Sequence, residues 1–314
     1  MTTFDYPLIL KPVAIPRPWG GGRLPKLYGR ETIEASEPIG ESWDVSTWPR
    51  DPGNPELPTV TTILNGPLSG TPLDQVVSVP VVVKLLDTAE KLSVQIHPVS
   101  DNAHKDEMWY ILYAEPDAYL FCGLNDGVTG TSLCELVKSG DASQEAVLNC
   151  LKTATDLKPG MYFNVPSGTV HAVGPGLVAF EVSECMQVTY RLYDYNRGRA
   201  LHIEDGCNAM AASRTIGKLL DPKLKVSGCK DQEMISHFPT FSVVKITGSE
   251  FRIDSCSHMH LLTATMGDIT ITGPNPLWNI CLKHASTCLV PATTNGYDIN
   301  VVSGDEVLIT ALKD

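Results

Sequence analysis

In the run LSVQIHP, residues 92–98, Leu92, Val94 and Ile96 alternate with Ser93, Gln95 and His97. A β-strand sends successive side chains to opposite faces, so this one would present Gln95 and His97 together as two neutral donors. Ten residues beyond His97, Glu107 opens the strand-like run EMWYILY, which a hairpin would set opposite His97. In GMYFNVPSGTVHAVG, Gly160, Pro166 and Gly168 punctuate a strand, a tight turn and a returning strand that carries His171. Two imidazoles, one carboxylate and one amide oxygen make a hard-to-borderline donor set. It suits Zn2+ and also accepts Fe2+, Co2+ or Mn2+. A lone histidine is usually just hydrogen-bonded, and the combination is what points to a single metal site.

Cationic side chains form the second group with chemical potential. In VTYRLYD, residues 188–194, alternation puts Thr189, Arg191 and Tyr193 on one face, with Tyr190 and Leu192 packing on the other. Arg191 would then point into a barrel, where a guanidinium is costly without an anion. Lys105, two residues before Glu107, would attract a phosphate or a sugar oxygen, and Arg197 and Arg199 after a turn could add contacts. Trp19 and the glycines of WGGGRL could either bring bare backbone close to a ligand or plug a barrel end. Glu41 in GESW stands as a supporting group. The formal net charge of −12 argues against broad nucleic-acid binding. An anionic substrate would need just such a local basic pocket.

The elements that must position these groups read as short strands broken by 25 glycines and 23 prolines, a mainly β chain of sandwiches or barrels. Helical signals are confined to the middle. Ser132 and Glu135 have capping-box spacing, and Asp141 and Gln144 repeat it ahead of Val147, Leu148, Leu151 and Ala154, an apolar stripe at helical intervals. A further helix is expected over residues 202–213. Beyond residue 230 the strands resume as a second barrel, with Pro291 at a turn and no histidine three to five residues after it. His258 and His260 have the spacing of a ligand pair, but no carboxylate or third histidine is placed to join them, so they are expected to pack or face solvent. Nine cysteines without a C-x-x-C pair suggest free thiols in a reducing compartment. With no apolar run of about 20 residues and no signal-peptide pattern at the start, the expectation is a cytoplasmic protein without a membrane span.

The spacing of Gly160, Pro166, Gly168 and His171 is that of the second cupin motif, and Gln95 stands where cupins commonly have their first histidine. WGGGRL, GESWDVS, KLLDTAEKLSVQIHP, KDEMWYIL, VPSGTVHAVGPG and TYRLYDYNRGRALH together resemble the type I phosphomannose isomerases in their short bacterial form. The resemblance implies two cupin-type jelly-roll β-barrels with a few helices inserted in and after the first. Residues 1–230 would be the metal-bearing catalytic domain and 231–314 a metal-free second barrel. It implies interconversion of mannose 6-phosphate and fructose 6-phosphate with one zinc ion per chain, held by Gln95, His97, Glu107 and His171. Arg191 and Lys105 correspond to the family's active-site arginine and lysine, and Trp19 and Arg197 would join them in holding a small phosphorylated sugar. A monomer or small homo-oligomer is expected. One departure stands out: the family usually shows Ser-Asp-x-Thr before its Tyr-Arg, whereas this chain reads Met186-Gln187-Val188-Thr189. Gln187 cannot carry a proton, which leaves Glu184 or a metal-bound water for acid/base work. It also leaves two alternatives: a non-catalytic sugar-phosphate binding protein, and an iron-dependent cupin oxygenase.

Overall fold

The computed structural model describes residues 4–30, 37–140, 142–186, 188–212, 214, 216–293 and 295–313. The short strands expected from the glycine and proline punctuation pair into antiparallel sheets. A six-stranded sheet runs in the order Tyr162–Val165, Glu107–Ala114, Leu177–Glu184, Val81–Thr88, Ile39–Val45, Val13–Pro16. A five-stranded sheet runs Leu151–Ala154, Leu120–Leu124, His171–Val173, Val94–Ile96, Tyr190–Tyr193. These two sheets face each other as the first jelly roll.

Both sheets are buried on their outer faces, by different partners. Along Leu177–Glu184 every residue is buried. Val178, Phe180 and Val182 join the core formed with Val243, Leu261 and Ile309 of the second barrel, while Leu177 and Ala179 fill the closed end of the first. On the five-stranded sheet, Val94, Ile96 and Leu192 pack outward against Leu133, Val137, Val147 and Ala209 of the helical layer. Each such side chain contributes roughly 1.5–3 kcal/mol by leaving water. The first barrel is thus clamped between helices and a second barrel, which frees its interior for polar side chains.

The helices differ from expectation in their ends. Helix α1 spans Arg23–Tyr28. Helix α2 spans Gly130–Lys138, and its N-cap is Thr129, with Ser132 as the reciprocal partner three residues on. The expected Ser132–Glu135 box is therefore out of place by three residues. Helix α3 is only Gln144–Leu148, capped by Ser143; Asp141 lies outside the described residues. Leu151 and Ala154, taken as the end of one apolar stripe, sit instead on the Leu151–Ala154 strand, which pairs with Leu120–Leu124. Edge pairing overrode the helical period there. Helix α4 spans Ile203–Ala211, within the expected range; Ser213 lies outside the described residues.

The cysteines also differ. Cys134 on α2 and Cys207 on α4 are joined by a disulfide with Cα atoms 5.7 Å apart. Both helices pack on the same sheet, which brings together residues that no local spacing links. The remaining seven cysteines form no disulfide.

The second barrel combines a seven-stranded sheet, Asp231–His237, Phe241–Thr247, Glu306–Leu312, His260–Thr263, Thr287–Val290, Leu8–Lys11, Thr62–Ile63, with a five-stranded one, Leu224–Ser227, Glu250–Cys256, Tyr297–Val301, Ile269–Thr272, Ile280–Leu282. Two strands from early in the chain therefore complete this sheet, with Leu8 opposite Leu289. Among the described residues no helix is long and apolar enough to cross a membrane.

Candidate metal centre

Two cross-strand rows of side chains face each other inside the first barrel. On the five-stranded sheet, Cys122 pairs with His171, His171 with Gln95, and Gln95 with Arg191. On the six-stranded sheet, Trp109 pairs with Glu181, Glu181 with Lys84, and Lys84 with Trp43. Trp109 meets His171 edge-on at 5.4 Å and ties the rows together. Between them lies a cavity of about 940 Å³, lined among others by Gln95, Lys105, Glu107 and Arg191.

His97, Glu107 and His171 offer donor atoms all within 4.8 Å of one another. Glu107 comes across the barrel from the facing sheet, not by the expected hairpin; its strand pairs with Tyr162–Val165, so that Val165 sits opposite Glu107. The turn Pro166–Thr169 then delivers His171. Thr169 N donates to Pro166 O at 3.0 Å, and Gly168 has φ +84°, a conformation open to glycine without strain. Asp106 fastens this turn to the one carrying the lysine: its Oδ1 accepts from Ser167 N at 2.9 Å, while Lys105 N donates to Ser167 Oγ at 2.7 Å. Arg214 closes the anchor as an ion pair with Asp106.

The imidazoles are oriented for metal binding. Nδ1 of His97 donates to Val188 O, and Nδ1 of His171 to Thr169 O, each at 2.8 Å. A carbonyl only accepts, so both rings carry their proton on Nδ1 and turn the Nε2 lone pair toward the cluster. His97 Nε2 is buried and lies 3.1 Å from Glu107 Oε1 without hydrogen-bond geometry. His171 Nε2 is 3.7 Å from Glu107 Oε2 and 3.2 Å from Gln95 Nε2. The two ends of that amide exchange by a half-turn. An orphaned, buried imidazole nitrogen facing a carboxylate is what a missing cation leaves, and the donor set fits zinc.

The electrostatics hold the donors ready. Burial would raise the Glu107 carboxyl, but the Lys105 ammonium, at 2.5 Å, outweighs it and holds it well below the ordinary range. Burial pulls His171 down to about 4, so it stays neutral and able to ligate at physiological pH. Burial disfavours the Lys105 ammonium, yet Glu107 and Glu181 more than offset this and raise it. Lys105 is thus a buried cation, not a hairpin lysine in solvent.

The structure brings most of the sequence-predicted residues to this cavity, though not all. Gln95, His97, Glu107, His171, Lys105, Arg191 and Trp19 meet there. Arg191 is lowered by burial and by neighbouring Arg199. Tyr193 leaves the expected face because the strand bulges after Arg191, and it packs with the helical layer instead. Arg197 hydrogen-bonds Asp194 and, at 2.7 Å, Lys91 O, away from the cavity lining. Glu184 is not brought to the cluster: Oε2 accepts from Asp106 N at 2.9 Å, Oε1 meets Thr240, and His104 lies 3.3 Å away. Gln187 lies outside the described residues. Of the WGGGRL glycines, two are packed against protein: a Cβ on Gly20 would sit 2.6 Å from Gly40 N, and one on Gly21 would strike Asp87, whereas the space beside Gly22 is open. His260 packs inside the second barrel, hydrogen-bonded to Tyr297.

Sequence reasoning missed Lys84, Glu181 and Arg17. Lys84 Nζ lies 4.6 Å over the Trp43 ring and 3.5 Å from Glu181 Oε1. Arg17 bridges Glu41 and Asp51. Glu41, which burial would raise, is brought down to about 2 by Arg17 and Lys84. A single Lys inside the apolar run VVVKLLDT, and a Glu in the middle of the apolar run LVAFEV, were the signals available.

Fold and site together define a metal-binding double-barrel cupin whose cavity is lined by both cations and carboxylates. No protein-family model matches the chain. It is 32% identical to mannose-6-phosphate isomerase of Streptococcus mutans, over 94% of this chain and 95% of that protein. In three dimensions it matches the mannose 6-phosphate isomerase of Bacillus subtilis with a TM-score of 0.75 at 24% identity, covering 98% of this chain and all of that one. The enzyme from Salmonella typhimurium, in a structure bound to fructose 6-phosphate and zinc, matches with a TM-score of 0.70 at 14% identity, covering 99% of this chain and all of that one. The chain belongs to the mannose-6-phosphate isomerase family.

Proposed function

We propose that this protein is a zinc-dependent aldose–ketose isomerase that interconverts mannose 6-phosphate and fructose 6-phosphate. The observation that carries the reading is the convergence of His97, Glu107 and His171 with Gln95, Lys105 and Arg191 on one cavity. Gln95, His97, Glu107 and His171 would hold zinc, which would supply a redox-inert Lewis acid for the sugar's carbonyl oxygen.

The chain's own residues do the rest. Arg191 stays charged at any working pH despite its burial, and meets negative charge on the phosphate or on the reacting oxygens. Lys105 keeps Glu107 anionic and sets a second cation at the cavity wall. Trp19 closes the wall beside them. Isomerisation moves a proton between C2 and C1. Of the wall carboxylates, Glu41 is a fixed anion in the grip of Arg17. Glu181, whose Oε1 lies 4.0 Å from Lys105 Nζ, is the one we assign to proton transfer. Glu184 instead holds the 105–107 turn through Asp106. In this reading residues 1–230 carry the chemistry, and 231–314, completed by the strands Leu8–Lys11, Thr62–Ile63 and Leu224–Ser227, form the metal-free barrel that backs them. The binding-only alternative draws no support from a cavity in which donors and cations converge.

The test is fructose 6-phosphate formation from mannose 6-phosphate by purified protein, with and without chelator, beside His97→Ala. Turnover should disappear in both and return to the wild type when zinc is restored. A zinc-loaded protein without turnover would overturn the reading.

A further inference from the structure

His202 ends the run TYRLYDYNRGRALH, and the chemistry above leaves it without a task. Its ring lines the cavity beside Thr189, Arg191 and Arg199. His202 N donates to Arg191 O at 2.8 Å, and its Nδ1 accepts the main-chain N–H of Arg191 at 3.2 Å. A backbone amide is only a donor, so Nδ1 must hold a lone pair and the neutral ring carries its proton on Nε2. Nε2–H is then an open donor, with no hydrogen-bond partner among the described residues.

The mount is rigid. His202 is the residue before α4, and its carbonyl accepts from Gly206 N at 2.8 Å. Gly206 sits tight on the Tyr190–Tyr193 strand, where a Cβ would come within 2.6 Å of Leu192 Cδ2. Helix, ring and Arg191 therefore hold one position relative to each other. A preorganised neutral donor beside a fixed cation suits an oxygen on which negative charge grows, because neither group must reorganise as the charge appears.

We propose that His202 is a catalytic residue of the isomerisation, donating from Nε2–H to an oxygen of the bound phosphosugar next to Arg191. The inference rests on the isomerase reading above. No proton is transferred in this role; the ring donates a hydrogen bond throughout.

Two substitutions separate donation from positioning. His202→Asn keeps an acceptor where Nδ1 stood, so it can hold the Arg191 amide, and removes the donor. His202→Gln sets an amide N–H close to the place of Nε2. With zinc-loaded enzyme and mannose 6-phosphate, kcat should fall about 10²-fold in His202→Asn and much less in His202→Gln, the scale set by loss of one such donor. KM, zinc content and Tm should change little in either. Zinc-loaded His202→Asn with wild-type kcat would overturn the proposal, and so would an equal fall in both variants, which would make the ring a positioning group. In the wild type, the His202 Nε2 resonance in a long-range proton–nitrogen spectrum should move on saturation with fructose 6-phosphate. An unmoved resonance overturns the contact even where a variant fails to fold. Failure of the isomerase reading would be seen separately, as an inactive zinc-loaded wild-type enzyme, and would take this inference with it.

Discussion

The two barrels each bury a histidine in nearly the same way and use it for opposite ends. His171 donates from Nδ1 to the carbonyl of Thr169, two residues earlier, and Nδ1 of His260 is 3.1 Å from the carbonyl of His258, also two residues earlier. Burial lowers both to about 4. They part at Nε2. In the first barrel Nε2 of His171 faces Glu107 and Gln95 across an open cavity. In the second, Nε2 of His260 lies 2.7 Å from Tyr297 Oη, and the two rings stack at 5.9 Å with Trp278 close behind. One barrel interior is kept open by buried charges that oppose and hold one another; the other is filled by aromatic volume. The fold permits both, and the side chains on the inward rows decide which.

That contrast can be broken most severely at the cluster. His97→Ala should lose bound zinc, by elemental analysis, and lose measurable isomerisation, whereas His260→Phe should keep both. Glu181→Gln should come next, with kcat down about 10³-fold if this carboxylate moves the proton, in the range general acid–base catalysis supplies. Retention of kcat would return that role to water. Arg191→Ala should lower kcat/KM about 10²-fold, the scale of one lost electrostatic stabiliser, with zinc content intact. The last effect is on stability, not rate, and lies in the second barrel. His260 titrates near 4 when folded against an ordinary 6.5. The unfolded chain therefore binds the extra proton first as pH falls, and stability present above pH 6.5 declines down to pH 4. The loss is roughly 3 kcal/mol for one fully buried imidazole. Chemical denaturation across that window should show the slope, and His260→Phe should make it shallower by that amount, with the share due to His171 remaining.

Much of the first barrel was legible because its inner residues alternate with apolar neighbours. LSVQIHP exposes Gln95 by contrast with Val94 and Ile96, and the Gly168 turn marks His171. Glu107 was legible as a ligand but not in its route. A local hairpin is the simplest reading of ten intervening residues, while the chain instead crosses between sheets. Lys84 and Glu181 were obscured because their strands are buried on both faces, so alternation fades and one charged residue looks like an exception. The Arg17 clamp and the Cys134–Cys207 link depend on residues brought together only by tertiary packing. Helix ends failed for a related reason: the apolar interval from Val147 to Ala154 fits a helix, but hydrogen bonds to the Leu120–Leu124 strand claimed its second half.

The strand Leu8–Lys11, seated between Thr287–Val290 and Thr62–Ile63, also imposes an order of events. Synthesised before either partner, it has Thr62–Ile63 within reach soon afterwards and must wait for the chain up to Thr287–Val290 before meeting the other. Until then its free edge is a template for strands of other molecules. Assembly of the second sheet should accordingly be slow and of high contact order. A chain without Thr287–Val290 would leave that edge permanently bare, so the early strand depends on a late one to complete its fold.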